Sequence, residues 1–87
     1  MIHENSALAY GIQRAFNRNR RAFILDFFQR HGPATDREVM MGLGFIDMDQ
    51  VRPRITELVA AGLACEVGGR LDPLTGKTVR VVRAALV

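Results

Sequence analysis

The chain contains no tryptophan, a single lysine, two histidines and a single cysteine. One cysteine cannot close a disulfide within the chain, and its sparing use fits a reducing, cytoplasmic setting. His3 and His31 stand far apart, and Cys65 has no ligand-type neighbour at metal-site spacing. Nothing pairs a nucleophile with a base, so neither catalytic nor metal chemistry is expected. The glycines of GLGF, at 42–45, lack the lysine and hydroxyl residue that complete a phosphate loop, so no cofactor is expected. No apolar run approaches the ~20 residues that span a bilayer. The first ten residues, MIHENSALAY, show no basic stretch followed by an apolar one, so no secretory signal is expected.

What remains is a chain of 87 residues, 48% hydrophobic and 24% charged, enough for one domain with one modest core. Its cations are nearly all arginine, eleven against Lys77 alone, and the net charge is +3. Their distribution is uneven. Residues 12–21 carry Arg14, Arg18, Arg20 and Arg21 with no acid, and residues 68–83 carry a local charge of +3. Between them, residues 32–66 hold six acids and three arginines, a local −3. Basic charge flanks the middle of the chain. Arginine forks suit phosphate oxygens, though they also form ordinary surface pairs.

The middle is organised as two helices around a turn. Thr35 with Glu38 three residues on is a capping box, and Val39, Met40 and Leu43 form an apolar face. Gly42 and Gly44 are read as the turn, and Asp47 or Asp49 as the cap of the next helix. At about 100° per residue, Val51, Ile55, Leu58 and Val59 share one stripe. Asp49, Gln50, Pro53, Thr56, Glu57 and Ala60 point the other way. Upstream, residues 6–15 are weakly helical, NRNRR at 17–21 interrupts the pattern, and 19–31 reads as a scaffold helix ended by Gly32 and Pro33. Downstream, Leu63, Cys65 and Val67 alternate as the inner face of a strand, and residues 78–87 read as a second strand. The expected core is Phe23, Ile24, Phe27, Phe28, Val39, Leu43, Val51, Ile55, Leu58 and Leu63.

The segments TDREVMMGLGF, VRPRITELVAAGLA and GGRLDPLTGKTVRVVR together resemble a winged helix-turn-helix domain, and most resemble small single-domain winged-helix proteins of phages and prophages. The resemblance covers roughly residues 6–84. It implies an α+β fold of three main helices and a C-terminal two-stranded wing, in a single domain. Within it, 1–16 is an N-terminal extension or short helix, 35–62 the helix-turn-helix and 63–84 the wing hairpin. It further implies sequence-specific binding to double-stranded DNA by a small regulator of transcription, with the third helix in the major groove. Carried over, Gln50, Arg52, Arg54 and Thr56 belong to that helix, and Arg70, Lys77 and Arg80 to a wing on the backbone.

Each assignment has a plainer counterpart. Arg54 can pair with Glu57 and Arg52 with Asp49, and Arg18, Arg20 and Arg21 can be a solvated helix start instead of phosphate contacts. The alternative function is a protein-binding winged helix, an adaptor or inhibitor that does not read DNA. Its support is the acidic middle and the cluster Met40, Met41, Phe45, Ile46 and Met48, of which three are expected in the core. Residues 1–16 either cover the core or pair two chains as a homodimer.

Overall fold

A computed structural model describes residues 6–85, with side chains from Asn19 onward. The elements run α1 (Ser6–His31), β1 (Ala34–Thr35), α2 (Asp36–Leu43), a 3-10 turn (Met48–Gln50), α3 (Arg52–Ala60), β2 (Ala64–Leu71) and β3 (Thr78–Ala84). Three α-helices therefore accompany a three-stranded antiparallel sheet of order β1-β3-β2. This α+β arrangement is compatible with the winged helix expected.

α1 is one helix of 26 residues, about 39 Å long, where the sequence suggested a break near Asn17 or Asn19. An asparagine inside a helix costs only tenths of a kcal/mol, whereas a break leaves several unpaired backbone groups at each new end. Ile24 and Phe28, four apart, are buried at 0% and 1% exposure. Phe23 lies one position off that stripe and is 56% exposed, which removes it from the expected core. Gly32 closes the helix with φ 93°, its N–H bonding the Phe28 carbonyl at 2.9 Å.

The link after Pro33 is itself a strand. Ala34 pairs with Val82 and Thr35 with Val81, which makes β3 the central strand. Val81 and Val82 are accordingly both buried. The expected inner face of β2 is not observed: Ala64 is buried and Cys65 half-buried, while Leu63 (50%), Glu66 and Val67 (47%) are exposed. The cause lies at the end of α3. The Leu63 N–H turns back to the Leu58 carbonyl at 2.9 Å around Gly62 at φ 77°, so the strand starts one residue later. A bulge between Glu66 and Gly68 alters the register again toward the wing.

Ile24, Phe28, Val39, Val51, Ile55 and Val82 form the fully buried centre, joined by Leu58 at 3%. Leu43 and Phe27 pack against it half-buried. Gly44, at φ 78°, makes the turn after α2. Gly42 does not; it lies inside the helix, where an added Cβ would overlap the Phe27 ring of α1. Close approach of α2 to α1 is what this glycine permits.

Two melts test this packing. Leu58→Ala should lose about 2–5 kcal/mol, a large part of a small domain's stability. Gly42→Ala gains about 1 kcal/mol of helix propensity yet should still lower the melting temperature, because overpacking costs about 1–3 kcal/mol. A higher melting temperature would mean that the Phe27 ring swings aside freely.

Candidate nucleic-acid interface

α3 follows a capped 3-10 turn. The Asp47 carboxylate accepts from the Asp49 N–H at 2.9 Å, and Gln50 Oε1 accepts from the N–H groups of Ile46 and Asp47 at 3.2 and 3.3 Å. Gln50 is thus half-buried and its amide oxygen is committed to the turn, not to the outward face expected for it. Its backbone carbonyl accepts from Arg20 Nη1 at 3.5 Å, and the Arg20 guanidinium stands 5.5 Å from the centre of the Phe45 ring.

The α3 residues divide by direction. Arg54, its side chain 20% exposed, donates to Glu57 at 2.7 Å, and Arg21 of α1 approaches the same carboxylate at 3.5 Å. The plainer pairing expected of Arg54 is therefore present, on the side facing α1. Arg52 is 58% exposed; it reaches Asp36 at 3.8 Å instead of Asp49. Pro53 and Thr56 are exposed. Arg18 has no described side chain, and neither do the apolar residues of 6–16.

Three consecutive residues at the start of α2 reach into the wing. Asp36, 7% exposed, receives two bonds from Arg80, Nε to Oδ1 and Nη2 to Oδ2, both at 3.1 Å. Arg37 Nε donates to Asp72 at 2.9 Å, and Arg70 Nη1 donates to Glu38 at 2.7 Å. Glu38 also accepts from the Thr35 N–H at 2.9 Å, completing the capping box. Of the expected wing cations, Arg70 and Arg80 are thus held by acids of α2. Among the described residues Lys77 makes no ion pair, and it is exposed.

The wing loop is pinned. Asp72 N–H bonds the Lys77 carbonyl at 2.8 Å, the Asp72 carbonyl accepts from Gly76 at 2.8 Å, and the Thr75 hydroxyl donates to the Asp72 carboxylate at 2.9 Å. Gly76, at φ 72°, supplies the left-handed backbone this turn requires.

α3 and the β2–β3 hairpin flank one cleft of about 480 Å³. Arg37, Arg52, Lys77 and Arg80 line it with Thr56, and the only carboxylates in its lining, Asp36 and Asp72, are nearly buried. Four cations against two acids leave the cleft positive. Away from it, Met40 and Phe45 pack on the core and Met48 is half-buried, whereas Met41 is 68% and Ile46 90% exposed. Two of the five apolar turn residues, Met40 and Phe45, pack against the core, where three were expected within it.

Sequence reading missed Asp36, Arg37 and Asp72. The available signal was complementary charge, Asp-Arg-Glu against Arg80, Asp72 and Arg70, but those partners lie 32 to 44 residues away. Among the described residues no three His, Cys, Asp or Glu side chains are grouped to hold a metal ion. No described helix is long and apolar enough to cross a membrane. No protein-family model matches the chain, and no curated protein does.

The Arg37 hydrogen bond holds the Asp72 carboxyl below its ordinary value, with Thr75 assisting, against the opposing effect of burial. At Glu38 burial pushes upward, but the Thr35 N–H and Arg70 outweigh it and the net direction is also down. A depressed folded-state value contributes stability above the unfolded value that disappears as pH falls through the folded one. Thermal stability should therefore decline on acidification through and below the ordinary values of 3.8 for Asp and 4.5 for Glu. Asp72→Asn should flatten part of that decline; a melt with an identical pH profile would show that the Arg37–Asp72 pair contributes nothing.

Proposed function

We propose that this chain is a winged-helix protein that binds double-stranded DNA, a small regulator of the phage or prophage type. The observation that carries the proposal is the positive cleft shared by the exposed side of α3 and the wing. A helix can enter the major groove while cations beside it neutralise phosphates, and the two surfaces here are adjacent and fixed. Arg52 and Lys77 are the phosphate contacts on opposite walls, since both are exposed and neither is held by a close ion pair. Arg80 and Arg37 form the basic floor, and Arg70 stands at the edge of the wing.

A second reading, a module that binds another protein, is favoured by a separate feature. Ile46 is exposed on the turn that precedes α3, where its N–H is held by Gln50, and Met41 is exposed in the last turn of α2. Rigid apolar anchors of this kind suit protein partners.

Duplex titrations over a range of salt concentrations decide between them. A DNA binder loses affinity steeply with salt, and Arg52→Ala with Lys77→Ala should weaken every duplex. The slope of log K against log salt should become shallower by about 0.9 for each lost phosphate contact. Salt-independent or absent duplex binding by the unaltered protein would reject the DNA reading and leave the protein-binding one.

A further inference from the structure

Thr56 is exposed on α3, yet its hydroxyl is not free to turn at will. Its Oγ1 accepts from Arg80 Nη2 at 3.1 Å, and the same nitrogen reaches the Arg52 carbonyl at 3.3 Å. Arg80 is fixed in turn by its two bonds to the nearly buried Asp36. A guanidinium has donors only, so Thr56 can do nothing but accept from it. The hydroxyl hydrogen must then point elsewhere, and among the described residues it meets no acceptor. A cation on one lone pair also weakens the other as an acceptor and strengthens the O–H as a donor. Thr56 therefore offers a polarised donor to whatever lies in front of α3.

Resting on the DNA-binding reading, we infer that Thr56 determines specificity by donating to an acceptor on a base edge in the major groove. Arg80 and Asp36 are its positioning residues. Purine N7, guanine O6 and thymine O4 are such acceptors, whereas cytosine presents an amine donor there. The contacted position consequently discriminates against cytosine. Arg80 reinforces that bias, because a cytosine amine would approach an oxygen already bound by a cation.

The test starts by selecting duplexes from a random library with the full chain, then compares Thr56→Val and Thr56→Ser on single-base variants of the selected site. Valine keeps the shape of threonine without the hydroxyl, and position 56 is exposed, so folding is retained and a melt verifies it. At one base pair the penalty for cytosine should fall about five-fold with valine, the size of one net hydrogen bond, and persist with serine. Arg80→Gln should reduce discrimination at that same base pair and add nothing further to it in the Thr56→Val background. A merely structural role for Arg80 would instead weaken all sites alike. Unchanged discrimination in Thr56→Val overturns the inference, as does equal weakening of every duplex, which would put the hydroxyl on a phosphate. Unaltered protein that selects no duplex overturns the DNA-binding reading itself, before any variant is compared.

Discussion

The interaction on which the arrangement depends is the bidentate pair between Asp36 and Arg80. It joins the first residue of α2 to the central strand, and through Arg80 it reaches the Arg52 carbonyl and the Thr56 hydroxyl of α3. One guanidinium thus ties together α2, α3 and β3. Such a pair adds little net stability, because removing two charges from water offsets their attraction. Losing Arg80 is different: the nearly buried Asp36 keeps only Arg52, at 3.8 Å, so the cost reaches up to about 3–5 kcal/mol. The pair acts as a constraint on geometry more than as a source of stability.

The two neighbouring pairs extend that constraint outward. Arg37 holds Asp72, which organises the loop between β2 and β3, and Glu38 holds Arg70 further along β2. Two of the acids are nearly buried, with side chains 9% and 5% exposed at Asp36 and Asp72, whereas Glu38 is 40% exposed. An exposed pair in water contributes at most about 1 kcal/mol, so the Arg70 end is the one that yields most easily to a competing anion.

Helices were legible in the sequence because their signals are local. The capping box of Thr35 and Glu38, the stripe Val51, Ile55 and Leu58, and the stop at Gly32 all arise within a few residues of each other. The strands were less so. Ala34–Thr35 is too short to show alternation and becomes a strand only by pairing with Val81 and Val82. The inner face of β2 was misread because Leu63 belongs to the turn at Gly62 and a bulge between Glu66 and Gly68 breaks the alternation, neither of which a period of two reveals. At the cleft, exposure of Thr56 followed from the helical wheel. The commitment of Gln50 to the turn and of Arg70 and Arg80 to acids of α2 did not, since a charge count cannot say where an arginine is aimed.

This distinction changes how a duplex would be recognised on the reading proposed above. A wing with three unpaired cations would attract DNA from a distance and with little regard to sequence. Here Asp36 and Asp72 cancel Arg80 and Arg37 beyond a Debye length of about 8–10 Å, and Glu38 does the same for Arg70. The long-range field near the cleft falls to Arg52 and Lys77, two charges, so non-specific affinity is modest. At contact distance the same pairs work in the opposite sense, because each holds a donor in place before the ligand arrives and reduces the ordering cost of binding. Ion pairing thus exchanges steering for preorganisation. In a chain with a net charge of only +3, discrimination between sites then depends on hydrogen bonds made at close range by α3 more than on bulk attraction to phosphate.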